Sequence, residues 1–211
     1  DYIRYPIKLL VTKQVPKEEK DKTEYEPVQE WETINSMIPI WRKSRSEVTE
    51  EELNDFYKYQ FNDYDEPMKT IQMRIEGAIN YDALIFIPKR APCDLYSDKY
   101  EKGLQLYSKG VFIMDKCKEL VPDYLRFIKG LVDSPDLSLN ISREILQQNR
   151  QLQKIANNVE RKIINELKRM LRNDREKYIE FFETYGVHIK YGVYDNFGEK
   201  KDLLQDLLMF Y

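Results

Sequence analysis

Histidine is almost absent from this chain: His188 is the single example in 211 residues, and cysteine occurs only as Cys93 and Cys117. No combination of the three has zinc-ligand spacing, and a Cys–His pair without a third orienting group is a poor nucleophile signal. They read as structural, two reduced thiols and a histidine set between Val187 and Ile189. Glycine is scarce at 7 residues, and none falls in the GxxxxGK(S/T) or GxGxxG patterns that cradle phosphates. The chain is therefore not expected to bind ATP tightly or hydrolyse it alone. No apolar run approaches the roughly 20 residues of a membrane span, and no signal-peptide pattern opens the sequence. A basic surplus is missing too. Lys and Arg number 34 against 37 Asp and Glu, a net charge of -3, which argues against a general nucleic-acid binder. The expectation is a cytoplasmic protein with neither membrane nor nucleic acid as partner.

What is present is a charge-rich globular composition, 42% hydrophobic and 34% charged. Asp1 rather than Met stands first, so a portion of a longer polypeptide is expected. Tyr2 to Thr12, "YIRYPIKLLVT", carries enough β-formers for one strand, which cannot fold alone. The charged segment that follows holds two prolines and no apolar period, and reads as a linker over residues 14–35. The body begins near Ser36. Thr49 with Glu52 three residues on, before Leu53, Phe56 and Tyr57, is a capping box that opens a helix. "MKTIQMRIEG" and "AINYDALIFI" read as strands joined around Gly77, Gly103 to Met114 as a further strand broken at Ser108–Gly110, and "KGLVDS" as another. A short helix is expected over roughly Pro122 to Phe127. Strands alternating with helices predict a mixed α/β sandwich.

From Ser142 onward Ile145, Leu152, Ile155, Val159, Ile163, Leu167 and Leu171 fall at helical spacing and predict a long amphipathic helix. "DREKYIEFFETYG" predicts another, with Gly186 as its stop, and "EKKDLLQDLLMF" a last one whose apolar face is left without a covering strand.

Arg143 is out of place. Ser142 is a good N-cap and Glu144 suits a first turn, where unpaired N–H groups carry partial positive charge. A cation there opposes the dipole. Either the arginine is exposed and costs a few tenths of a kcal/mol, or it waits for an anion such as phosphate.

The segments "YPIKLLVTK", "LIFIPKRAPCDLY", "GVFIMDKCKELVPDYLRFIKGLVDSPDLSLNISRE" and "SREILQQN" decide between these. They resemble the heat-shock protein 90 family, in its cytosolic bacterial form, in the same order and over nearly the whole chain. The resemblance implies an α/β fold, a three-layer α-β-α sandwich with a mixed sheet followed by a small three-helix module. It implies that residues 1–13 are the last strand of an N-terminal ATPase domain, 14–35 a charged linker, 36–172 a large middle subdomain and 173–211 a helical module. It also implies a catalytic loop reaching across to ATP held, with Mg, by the N-terminal domain. The chain itself would hold no cofactor. Arg143 would contact the γ-phosphate and Gln147, one turn on, would support it; at i and i+4 the two share a helix face. A guanidinium fork suits phosphate oxygens and neutralises charge as it develops. Asn140 and Ser142 would shape the loop. In a resting loop Arg143 would pair with a carboxylate such as Glu144 or Asp136.

Further partners implied are unfolded or partly folded client proteins and a second copy, joined through a C-terminal domain. Tyr64, in "QFNDYDEPM", stands where many relatives carry a client-contacting tryptophan; a half-buried aromatic beside a strand is the plainer reading. Trp31 and Trp41 are expected to anchor the first turn of the body rather than a client. The alternative function is an interaction scaffold for clients or co-chaperones with no part in hydrolysis. An independent phosphoryl-transfer enzyme is disfavoured by the missing phosphate loop.

Overall fold

The charged stretch after Lys13, expected as a linker without an apolar period, lies in two paired strands. Strand β1 (Lys8–Glu19) and strand β2 (Lys22–Thr33) run antiparallel, with Leu10 opposite Trp31 and Gln14 opposite Pro27. Density of charge hid a period of two, in which Tyr25 and Trp31 alternate with Glu24, Glu26, Glu30 and Glu32. The prolines are tolerated for a geometric reason. Ile34 N–H donates to Ile7 O at 2.9 Å, which marks the odd-numbered positions of β1 as the hydrogen-bonded ones. Pro16, and Gln14 opposite Pro27, fall at even positions, where the backbone nitrogen faces away from the partner strand and no ladder bond is lost. Asn35 Oδ1 closes the ribbon by accepting from Ile7 N–H at 2.7 Å.

The computed structural model describes residues 6–19, 22–35, 37–97, 99–137 and 150–209. It divides into two units, residues 1–43 and 44–211. The ribbon and a 3-10 turn at Ile40–Arg42 belong to the first. The division falls after Lys43 rather than near residue 36, and the helical residues after 172 lie in the same unit as the sheet.

In the second unit, helix α1 (Glu50–Phe61) opens on the expected capping box. Thr49 Oγ1 accepts from Glu52 N–H at 3.2 Å while Glu52 Oε2 accepts from Thr49 N–H at 2.8 Å. Five strands follow: β3 (Lys69–Ile75), β4 (Tyr81–Ile87), β5 (Leu104–Ser108), β6 (Val111–Cys117) and β7 (Lys129–Asp133). They form one sheet in the order β3-β4-β7-β5-β6, antiparallel except for β5 against β7. The broken strand expected at Gly103–Met114 is a hairpin. Lys109 and Gly110 have φ of 54° and 80°, the two left-handed residues of a tight turn whose twist matches its strands.

Central position explains the unbroken apolar run of β4. Its Leu84 and Phe86 face α1, where Phe86 packs among Phe56, Tyr57 and Phe61 with centroids 5.0–6.3 Å apart. Ala83, Ile85 and Ile87 face the other way, into a larger core with Val132 of β7. That core is closed by helix α2 (Arg150–Asn173) and helix α3 (Arg175–Gly198). From α2 it takes Leu152, Ile155, Val159, Ile163 and Leu167, and from α3 Phe181 and Tyr185. Helices on both faces of a mixed sheet make the expected three-layer α-β-α sandwich.

Gly186 does not stop α3. The helix passes through it and through Gly192, and breaks only at Asp195–Phe197, where Asn196 and Phe197 take φ of 49° and 57°. Both glycines serve close approach. A Cβ on Gly186 would sit 3.0 Å from the Phe182 ring, and one on Gly192 2.6 Å from Tyr124 Cγ. After the break come a short helix α4 (Lys201–Leu204) and a 3-10 turn (Gln205–Leu207). Leu204 and Leu207 are buried, so the apolar face expected to lie open is covered by this unit's own core. The short helix near Pro122 is a 3-10 turn at Asp123–Leu125.

Candidate functional site

Sheet order brings three connections to one edge. β7 ends at Asp133, level with Asp82 at the start of β4 on one side and with Tyr107 at the end of β5 on the other. The chain leaves β7 there toward residues 138–149, and returns to described structure as α2. Arg143, Gln147, Asn140 and Ser142 all lie outside the described residues, as does Glu144. What the structure gives is the frame that holds the two ends of their segment.

The first end, residues 134–137, is tied to neighbouring strands and turns by five hydrogen bonds. Ser134 N–H donates to Tyr107 O at 3.1 Å, extending the β5 pairing by one step. Ser134 Oγ donates to Asn80 O at 2.7 Å. Asp136 Oδ2 accepts from Asn80 N–H at 2.7 Å and from Asn80 Nδ2 at 3.2 Å. Ser108 Oγ, fully buried, donates to Leu137 O at 2.5 Å. Leu137 itself is 2% exposed, so the last described residue before the segment is a core residue. Asp133 Oδ1 accepts from Gly110 N–H at 3.0 Å, which ties in the β5–β6 turn.

The second end is fixed by burial. Leu152 and Ile155 in the first two turns of α2 have no exposed surface. The same helix lines a groove of about 390 Å³ with Lys154, Asn157 and Arg161, opposite Gly77 and Ile79 of the β3–β4 turn. That turn therefore meets both ends. Asn80 is its corner, with Oδ1 accepting from Gly77 N–H at 3.0 Å. Sequence reasoning passed over Asn80 and read Ser108 only as a break in a strand; the serine beside a turn was the available signal. Asp136 was a candidate partner for Arg143, and in this structure its carboxylate is engaged by Asn80.

The other candidates are placed as follows. Tyr64 is 94% exposed, not half-buried, with Tyr59 on α1 also outward at 88%. Trp31 is 64% exposed whereas Trp41 is buried. His188 is a core residue, its ring stacked on Tyr96 at 5.3 Å and 5.7 Å from Phe127. Burial, seconded by the Arg126 guanidinium, pulls its pKa below the ordinary 6.5. Cys93 is exposed and Cys117 buried. Among the described residues no group of three or more His, Cys, Asp or Glu is placed to hold a metal ion, and no helix is long and apolar enough to cross a membrane.

Comparison with known proteins gives a consistent answer. A family model described as Hsp90 protein matches residues 11–211. "Chaperone protein HtpG" of Clostridium botulinum is 54% identical over 211 residues, and those of Clostridium acetobutylicum and Clostridium perfringens are 53% identical. Each alignment covers 100% of this chain and 34% of the relative, so the chain spans about a third of their length. Among solved structures, the middle domain of a Plasmodium falciparum heat shock protein superposes with a TM-score of 0.72 at 29% identity. That match covers 82% of this chain and 67% of the other.

Proposed function

The chain belongs to the heat-shock protein 90 family, and on that premise we propose that it is the middle segment of an ATP-dependent chaperone, supplying Arg143 to the terminal phosphate of a nucleotide held by an N-terminal domain. One observation carries the reading furthest. The segment bearing Arg143 and Gln147 springs from a sheet edge braced by Ser108, Asn80 and Asp136, and runs into a helix anchored by Leu152. A rigid frame at both ends of a polar, arginine-bearing segment is what presenting a cation to a partner domain requires.

The donor set fits the ligand. Phosphate oxygens accept hydrogen bonds, and a guanidinium offers a planar fork of donors to which Gln147 adds an amide. Held by the N-terminal domain, ATP and its Mg would supply the phosphoryl chemistry. Arg143 orients the terminal phosphate and offsets its growing charge, and Gln147 orients Arg143. The nucleotide and metal would be held by the N-terminal domain, whose last strand would be residues 1–13, and a C-terminal domain would join two copies. Asn140 and Ser142 shape the segment that carries the arginine.

A second reading, a client surface without a catalytic part, draws on Tyr64 and Tyr59, two rings turned almost wholly to solvent on one side of the sheet. The two readings are compatible unless Arg143 is idle. ATP turnover of the full-length parent with Arg143→Ala, measured beside its nucleotide affinity, separates them. A fall of about tenfold or more with affinity little changed supports the catalytic reading. Unchanged turnover leaves only the client surface.

A further inference from the structure

We infer that the outer edge of β3 is a docking groove for an acidic polypeptide segment in extended conformation, held there by Arg45, Lys69 and Lys177. No residue of the catalytic reading takes part. The groove holds about 350 Å³ and is lined by those three cations and by Leu53, Thr70 and Gln72. β3 comes first in the sheet order, with β4 as its one neighbour among the described residues. Successive residues of a strand point to opposite faces, and the register with β4 sorts them. Thr70 and Gln72, opposite Phe86 and Leu84, face α1, whereas Lys69, opposite Ile87, faces α2 and α3. A groove lined from both faces of one strand lies along its edge, where the backbone presents donors and acceptors to another chain.

Charge selects the partner. Lys69 Nζ lies 4.0 Å from Glu166 Oε2, but that buried carboxylate also serves Lys162 at 3.1 Å and Arg169 at 2.6 Å. Arg45 and Lys177 form no ion pair among the described residues. Burial first, and then repulsion by Arg169, Lys177 and Arg45, outweigh the pull of Glu166 and hold the Lys69 ammonium below its ordinary 10.5. Like charges are gathered at one place without the anions to match. Two carboxylates do line the groove, Glu50 and Glu66. Glu66 is taken by Lys58 at 3.5 Å, and Glu50 sits in the first turn of α1, where the helix dipole offsets it. Carboxylates on alternate residues of an added strand would all point to one side of the edge and meet the deficit there. Lysines on a sheet edge deter pairing between copies, and an acidic strand is the partner that they attract.

The test uses the full-length parent and two fluorescent hexapeptides, one alternating glutamate with valine and the other lysine with valine. Anisotropy at low salt should show the glutamate peptide bound about tenfold or more tightly than the lysine peptide. Arg45→Glu combined with Lys177→Glu should reverse that preference, and neither change removes an ion pair among the described residues. Lys69→Met keeps the buried stem and should weaken the glutamate peptide severalfold. Hydrogen exchange supplies a readout that charge alone does not move: the glutamate peptide should slow exchange of β3 amides, and tripolyphosphate should not. Equal affinity for the two peptides, or a preference unchanged by the reversal variant, overturns the proposal. Binding of the glutamate peptide without protection of β3 amides also overturns it, and marks a site for small anions only. Absence of binding by either peptide overturns it as well, and leaves the cations as guards of the edge. None of these outcomes touches the role of Arg143, which the turnover experiment decides separately.

Discussion

The hydroxyl of Tyr124 donates to Glu160 Oε1 at 2.5 Å, joining the 3-10 turn before β7 to the middle of α2. Glu160 is only 6% exposed, and its second oxygen accepts from Lys200 Nζ at 2.9 Å. A carboxylate in a core is tolerable because both oxygens are served, one by a cation. The Tyr124 hydroxyl is driven far above the usual tyrosine range by burial and by the adjacent carboxylate, so it stays a donor at every working pH. Tyr124→Phe leaves Glu160 with one partner and should cost about 1–3 kcal/mol. The double variant Tyr124→Phe with Glu160→Leu should recover part of that loss. Urea midpoints of the three proteins check both statements.

Gly192 and Gly186 should respond differently to alanine, although both lie in α3. Alanine gains about 1 kcal/mol over glycine in a helix interior. At Gly192 the new Cβ meets Tyr124 Cγ at 2.6 Å and Leu204 Cδ1 at 2.8 Å, and overpacking of about 1–3 kcal/mol outweighs the gain. At Gly186 the contact is the Phe182 ring at 3.0 Å, one turn back on the same helix, and a small ring shift leaves the change close to neutral. Thermal midpoints of Gly192→Ala and Gly186→Ala, measured together, show whether α3 is held by what crosses it at Gly192.

His188 makes stability depend on acidity. Its folded pKa lies below the ordinary 6.5, first because burial disfavours the imidazolium and then because Arg126 repels it. The unfolded chain therefore binds a proton at higher pH than the folded one. Its stabilising contribution is complete above about pH 6.5 and is lost as pH falls through the lowered folded value. His188→Phe keeps a ring on Tyr96 and removes the titration. The difference in unfolding free energy between the two proteins should be flat above pH 7 and change below 6.5; a constant difference across that range would exclude a titrating His188.

The two thiols should be told apart by a disulfide reagent. Burial and the Glu119 carboxylate push the Cys117 thiol up to about 12, so almost no thiolate exists at neutral pH. Cys93 is exposed. One thiol per chain should react in the native protein and both after denaturation, and Cys93→Ser should abolish the native reaction.

The sequence alone determined the parts governed by short-range rules. The capping box at Thr49 and Glu52 works over three residues, and the apolar stripe from Leu152 to Leu167 needs only helical periodicity, so both could be read before any contact was known. The resemblance over Leu84–Tyr96 and Val111–Gln148 likewise needed only residue order. Charge density around Glu24 to Glu32 masked a strand, because pairing of that ribbon is decided by a partner strand and not by local hydropathy. Gly186 looked like a stop because a glycine's local cost is visible, whereas the Phe182 ring that lies against it is not. Tertiary structure alone decided the bracing of the site. Ser108, Asn80 and Asp136 lie 28 to 56 positions apart, and only the insertion of β7 between β4 and β5 carries them to one edge. Hydrogen bonds act over 3 Å in space whatever the distance along the chain, and sheet order is set by the burial of whole faces, which no local pattern encodes.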